Sequence, residues 1–304
     1  MTQPLVIPFK EGEARLEWLG LARAFEAGHR LPKAEIADTF LYRGGDTLLN
    51  RAAWIDGLGV AVKAATIFPG NAEAGKPAVN GAVNLMSDSD GTLAALIDFH
   101  LVTKWKTAGD SLYGALKLAR PDSREILIVG AGAVARSLIE AYGAGFPEAR
   151  FTLWNRSAAR AEEMAAEIPG LRVATDLEAA IAKSDIIATA TMATEPVIQG
   201  DWLQPGQHLD LIGAYRPDMR EVDDAALTRA RIFVDSFDTT LGHIGELKIP
   251  LEAGIIAKTD VLADYYTPEA FTRSEEDITI LKNGGGAHLD LMCARYILEA
   301  WQAA

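Results

Sequence analysis

One cysteine, Cys293, stands in a chain of 304 residues. An internal disulfide is therefore impossible, and a reducing cytoplasm is the expected location. Basic side chains are also short in supply, with 29 Lys and Arg against 42 Asp and Glu and a formal charge of −13. A surface of that sign repels phosphate backbones, so nucleic acid is not an expected partner. The roughly 18 uninterrupted apolar residues of a membrane span are missing, since even the run from Leu127 to Ile139 is broken by Arg136 and Ser137. The opening Met1-Thr-Gln-Pro-Leu-Val-Ile-Pro has neither the basic nor the long apolar region of a signal peptide, and a soluble protein is expected. His29, His100, His208, His243 and His288 are too scattered for a local ligand motif, so no metal site is expected. No Gly-x-Ser-x-Gly turn follows a strand pattern, which argues against a serine hydrolase, and Cys293 on a helical stretch reads as a small core residue.

What is present is core material: 49% of residues are hydrophobic, enough for two domains. From Arg124 to about Asp238, short β-branched runs alternate with Ala-, Glu- and Leu-rich segments. Six strands are expected there, Glu125–Val129, Phe151–Trp154, Leu171–Ala174, Ile186–Ala190, His208–Ile212 and Arg231–Val234. Strands alternating with helices make a doubly wound parallel sheet that binds ligand at the carboxyl ends of its strands. Before Arg124 the pattern changes. A helix is expected from Glu13 to Ala27, stopping at Gly28, followed by a mainly antiparallel sheet that includes Gly59–Phe68, Gly81–Met86 and Thr92–Asp98. Trp105, Ala108, Leu112, Leu116 and Ala119 predict a helix into the second domain, and Leu289–Trp301 is helical in pattern. The expected division is 1–120 with the closing helix 289–304, and 121–288.

Ile126-Leu-Ile-Val129 runs directly into Gly130-Ala131-Gly132-Ala133-Val134-Ala135. A strand, a GxGxxA turn and an apolar helix in that order are the requirements of a dinucleotide site. Gly130 permits the turn, Gly132 admits the pyrophosphate, Ala135 lets the helix pack closely, and the helix N-terminus offers N–H groups to the anion. The second strand ends at Asn155-Arg156-Ser157, where an NAD enzyme usually places an acid on the ribose. A cation and neutral hydrogen-bonding groups suit a 2′-phosphate, so NADP(H) is expected in preference to NAD(H), which stays possible. The plainer reading of Arg156 is a solvated residue starting a helix.

Several segments together resemble the ornithine cyclodeaminase/mu-crystallin family: Lys63-Ala-Ala-Thr-Ile-Phe-Pro, Asp90-Gly-Thr-Leu-Ala-Ala-Leu-Ile-Asp98, Thr103-Lys-Trp-Lys-Thr-Ala108, Gly130-Ala-Gly132, Trp154-Asn-Arg156, Thr191-Met-Ala-Thr-Glu-Pro196 and Gly213-Ala-Tyr-Arg-Pro-Asp-Met-Arg-Glu221. The resemblance implies a homodimer whose N-terminal α+β domain serves substrate binding and dimerisation beside a Rossmann domain, with the closing helix returning to the first. It also implies basic side chains on the carboxylate of an amino or imino acid, at Lys63, at Lys106 where the family usually has Arg, and at Arg43 with Arg51 as rival. Lysine offers a point charge in place of a planar fork. Each has a plainer reading, Lys106 as an i,i+4 partner of Asp110 and Lys63 as the outward residue of an edge strand. The resemblance further places Thr107, Thr191, Met192, Ile212 and Asn283 at the cofactor, with Asn80 and Tyr215 as added polar groups. Asp290 reads mainly as an acid favoured by a helix start.

Tyr215 stands where the cyclodeaminases carry an aspartate that handles protons. A phenol with a pKa of about 10 is a poor base at neutral pH. The motif is closer to the ketimine-reductase branch, whose chemistry is hydride delivery to a C=N bond. Reduction of a cyclic ketimine carboxylate, Δ1-pyrroline-2-carboxylate or Δ1-piperideine-2-carboxylate, to proline or pipecolate is the expectation. Ornithine cyclodeamination, an alanine-type dehydrogenase and a non-catalytic NADPH-binding protein are the alternatives.

Overall fold

The computed structural model describes residues 3–303, with the backbone alone at Ala72 and Glu73. Residues 1, 2 and 304, with which the expected domains begin and end, lie outside the described residues. The chain parts into two compact units, one running up to Lys106 and resuming at Gly285, the other spanning Thr107–Gly284. The division thus falls earlier than the expected 120/121.

The first unit holds six strands, β1 (Leu5–Ile7), β2 (Glu35–Arg43), β3 (Asp46–Ile55), β4 (Gly59–Ile67), β5 (Val79–Met86) and β6 (Leu93–Asp98), in the order β1-β6-β5-β4-β3-β2. All neighbours are antiparallel except β1 and β6. The expected helix over Glu13–Ala27 is two pieces, α1 (Phe9–Glu13) and α2 (Trp18–Gly28). Gly28 is the last residue of the second helix, and its missing Cβ leaves room for the Met292 side chain against it. Strand β4 shows how the sheet is layered. Ala61, Lys63 and Ala65 point to the buried face and Val60, Val62 and Ala64 to the other. Small side chains inward let the closing helix, Ala287–Gln302, pack on β3 and β4.

Helix α3 (Phe99–Leu118) carries the chain from one unit into the other. The second unit is a wholly parallel sheet of β7 (Glu125–Val129), β8 (Arg150–Trp154), β9 (Arg172–Val173), β10 (Ile186–Thr189), β11 (His208–Leu211), β12 (Arg231–Val234), β13 (Val261–Ala263) and β14 (Thr279–Lys282). The order is β13-β12-β14-β11-β10-β7-β8-β9. The six expected strands form, and two more join them. β14 inserts between β11 and β12, a neighbour relation the sequence pattern did not contain. Chain order reverses between β7 and β10, the position at which an open α/β sheet binds its ligand. Leu127, Val129, Ile187, Leu209, Leu211, Ile232, Val234 and Ile280 fill the core beneath it. The fold is α/β, a doubly wound Rossmann-type unit joined to an α+β unit. No described helix is long and apolar enough to cross a membrane.

Candidate active site

In the first unit, cross-strand register gathers the basic residues. Arg51 of β3 lies directly opposite Asp38 of β2 and Lys63 of β4, so all three share one face of the sheet, the face that is buried at β4. The Lys63 ammonium donates to Asp290 Oδ1 at 2.9 Å, and both side chains are buried. Lys63 is thus neither outward nor on an edge. Arg51 donates from Nη1 to the Gly285 carbonyl at 2.9 Å and pairs with Asp38 at 3.0 Å. Lys106, from α3, reaches the same carbonyl at 3.3 Å. Gly285 has φ +67°, and a Cβ there would stand 2.7 Å from the Lys106 ammonium, so glycine keeps that approach open. Lys106 and Asp110 are both buried side chains and not solvated ones, and the Asp110 carboxylate accepts from the Tyr265 hydroxyl at 2.9 Å.

Asp290 corrects a sequence expectation. It is the fourth residue of the closing helix, and its role at Lys63 is more than a response to the helix dipole. Burial pushes its carboxyl up, but Lys63, Lys106 and Arg51 together outweigh that and hold it below its ordinary value. Its Oδ2 is buried without a hydrogen-bond partner among the described residues. Beside it, burial and then the Lys106 charge push the His288 imidazole down to about 3, so it is neutral. Cys293 is buried on the same helix, and burial pushes its thiol up, as suits a packing residue.

Arg43 and Asn80 do not join this cluster. Strand alternation puts Arg43 on the opposite face, paired with Asp46 at 3.1 Å at the hairpin end. Its side chain is 80% exposed against 22% for Arg51. Asn80 sits opposite Thr66, again on the other face from Lys63, and donates to the Pro77 carbonyl. Arg51, the rival assignment, is the arginine that the register delivers.

In the second unit, Gly130 ends β7 with φ +113°, a conformation only glycine adopts without strain. Gly132 is the N-cap of α4 (Ala133–Gly145), and a Cβ built on it meets nothing within 4 Å. The first-turn N–H groups of α4, at Ala133 and Val134, have no intrahelical partners by construction. Asn155 behaves differently from expectation. Its Oδ1 accepts the Ala131 N–H at 3.1 Å and its Nδ2 donates to the Ser157 carbonyl, so its amide shapes the turn instead of facing outward. Arg156 is exposed, and Ser157, the N-cap of α5 (Ala158–Glu167), makes no capping hydrogen bond with its hydroxyl.

Thr191 and the exposed Met192 follow β10, while Ile212 and the exposed Tyr215 follow β11. Thr107 is half-buried on α3. Asn283 is buried after β14, and its Oδ1 has no hydrogen-bond partner among the described residues. A positive-φ glycine at a strand end, open space over Gly132 and an orphaned amide oxygen at Asn283 fit a dinucleotide spread over these carboxyl ends. The sequence reading assigned no role to Glu221, although it stands in a quoted motif. Its buried carboxylate ties Thr191 to Gly213.

The chain is similar over nearly its whole length to known proteins. The model of the ornithine cyclodeaminase/mu-crystallin family matches residues 54–304. A Delta(1)-pyrroline-2-carboxylate reductase of Paracoccus denitrificans is 49% identical over 303 residues, covering 97% of this chain and 96% of that protein. The solved structure of Thermococcus litoralis Delta(1)-pyrroline-2-carboxylate reductase, in complex with NADH and L-proline, has a TM-score of 0.86 at 25% identity and covers 98% of both chains. An archaeal alanine dehydrogenase dimer with bound NAD has a TM-score of 0.88 at 26% identity, covering 99% of this chain and 96% of that one. The chain belongs to the ornithine cyclodeaminase/mu-crystallin family.

Proposed function

We propose that the protein reduces the C=N bond of a cyclic ketimine carboxylate, Δ1-pyrroline-2-carboxylate or its six-membered homologue Δ1-piperideine-2-carboxylate, to L-proline or L-pipecolate, using NADPH in preference to NADH. Its class is an NAD(P)-dependent oxidoreductase acting on C=N, as for the reductases it is similar to. The observation that carries the reading is the gathering of the buried Lys63, Lys106 and Asp290 with the half-buried Arg51 and its more exposed partner Asp38. Lys63, Lys106 and Arg51 are the carboxylate holders, Arg51 supplying the planar fork that the two lysines lack.

A bound nicotinamide supplies the hydride. The chain's part is positioning, because a protonated imine is already electrophilic. Gly130, Ala131, Gly132, Ala133 and Val134 take the pyrophosphate; Thr107, Thr191, Met192, Ile212 and Asn283 border the nicotinamide; Asn155 braces the turn. Arg156 with Ser157 takes the 2′-phosphate, which is the ground for preferring NADPH. Tyr215 presents a phenol and not a carboxylate, which disfavours ornithine cyclodeamination. The protein acts as a homodimer, as the alanine dehydrogenase neighbour does, through the outer face of the first unit's sheet, where Leu41 and Trp54 are exposed. The buried single cysteine accords with a cytoplasmic setting.

Oxidation of NADPH and NADH by the purified protein, with each cyclic imine, with pyruvate plus ammonia, and beside an ornithine-to-proline assay, tests the reading. Turnover of a cyclic imine with a higher kcat/KM for NADPH, and none of ornithine, is expected. Activity confined to pyruvate plus ammonia supports the alanine-type reading that the dehydrogenase neighbour favours. NADPH binding without any turnover supports a binding protein.

A further inference from the structure

Glu221 is fully buried in the second unit, and its carboxylate accepts five hydrogen bonds. Oε2 takes the Thr189 hydroxyl at 2.8 Å, the Gly213 N–H at 2.7 Å and the Ala214 N–H at 3.2 Å. Oε1 takes the Thr191 N–H at 2.9 Å and its hydroxyl at 2.7 Å. These donors belong to two different segments, the end of β10 and the turn after β11. Both strands are parallel neighbours, and β10 also lies beside β7, which ends in the GxGxxA turn. Contact with that turn is direct. A Cβ on Gly130 would stand 2.6 Å from the Ala190 carbonyl and 3.5 Å from Thr191 Cγ2. On the other side, a Cβ on Gly213 would stand 2.3 Å from Glu221 Oε1 and from the Thr191 carbonyl, so the two segments touch only because residue 213 is glycine.

Glu221 is itself held. Its N–H and that of Val222 donate to the buried Glu246 carboxylate at 2.7 and 3.1 Å, and its carbonyl accepts from Val197 and Ile198. The buried Lys282 ammonium donates to the carbonyls of Leu211 and Asn283 and supplies the positive charge that Glu221 and Glu246 face. The residues immediately after the tethered ones are Met192 and Tyr215, two large side chains left exposed by backbone that is otherwise fixed.

We propose that Glu221 is a positioning residue for the nicotinamide half of the cofactor: by clamping Thr191 to Gly213 and Ala214, it sets the strand-end surface on which Met192 and Tyr215 meet the ring. This rests on the reading above that a nicotinamide cofactor lies across these carboxyl ends. Charge-assisted bonds to one rigid acceptor hold both segments before the cofactor arrives, so binding does not have to order them.

The test separates the two halves of the cofactor. Affinities for NADPH, and for 2′,5′-ADP as a probe of the adenosine half alone, are measured by titration calorimetry for wild type, Glu221→Gln and Thr191→Val, together with kcat and KM on the cyclic imine. Thr191→Val removes a single donor and keeps the test alive if Glu221→Gln does not fold. The expected pattern is NADPH affinity weakened about tenfold or more and kcat lowered, with 2′,5′-ADP affinity changed less than about twofold. Unchanged NADPH affinity in the folded variants, or parallel weakening of 2′,5′-ADP, overturns the inference. A wild-type protein that binds neither NADPH nor NADH overturns the nicotinamide reading and this inference with it, a result distinct from any pattern among the variants.

Discussion

The exchange of one arginine for another turns on strand parity. Arg43 and Arg51 are both basic residues of the β2–β3 hairpin, and an eight-residue separation is all the sequence shows of them. Pairing of Asp38 with Arg51 and of Arg51 with Lys63 puts the second on the buried face and leaves Arg43 to the other. Replacing Arg51 by Ala is expected to raise KM for the cyclic imine by about tenfold or more, with NADPH affinity unchanged. Arg43→Ala is expected to leave KM within about twofold, since Arg43 bonds Asp46 in solvent, and steady-state kinetics on both variants checks this. Lys63 and Lys106 were legible because each stands in a local motif. Asp290 as partner of Lys63 was not, because 227 positions separate them and only the packed helix joins them.

At the scale of elements, legibility followed hydrophobic pattern. β7 is apolar and buried on both faces from Ile126 to Val129 and was read to the residue, whereas β2 is exposed along its whole length and carries no core-facing alternation. β13 and β14 lie beyond Asp238, past the stretch over which the sequence alternates strand and helix patterns. The buried acids between these elements give a pH signature. Burial and then the Glu221 charge push the Glu246 carboxyl from 4.5 up to about 7. Its folded pKa lies above its unfolded one, so its contribution to stability is fully present below about pH 4.5 and is lost as pH rises through 7. His208 has the opposite sign. Burial pushes it from 6.5 down to about 3, so its contribution is present above 6.5 and lost on acidification. The two slopes oppose each other across mildly acid pH, and Glu246→Gln removes one. The excess stability of wild type over that variant is expected to shrink by up to about 1.4 kcal/mol per pH unit between 4.5 and 7, then level off. Urea unfolding of both proteins from pH 5 to 8 measures it; a difference independent of pH would mean that Glu246 titrates near its ordinary value.

For the whole molecule, the question is what covers the outer face of the first unit's sheet. An antiparallel sheet usually buries its larger apolar residues against its own helix and turns polar ones to water. Here the inward residues of β4 are Ala61, Lys63 and Ala65, while Val60, Val62 and Ala64 face outward. Trp54, 54% exposed, and Leu41, 59% exposed, continue that outer face on β3 and β2. An apolar face ending in an uncovered strand edge invites a partner of the same kind, and a second copy of the chain satisfies both features at once through a self-complementary contact. Placing a carboxylate there, as Trp54→Asp or Leu41→Asp, buries an unpaired charge in any such contact and leaves the monomer's own core untouched. Sedimentation velocity is therefore expected to show wild type as a dimer at micromolar concentration and the double variant Leu41→Asp, Trp54→Asp as a monomer with an unchanged far-ultraviolet circular dichroism spectrum. A dimer that survives both substitutions would place the interface on another surface. Because Lys63 and Arg51 lie on the opposite face of the same strands, a loss of imine turnover that accompanies monomerisation would show that the pocket's geometry depends on the sheet being held flat by its partner.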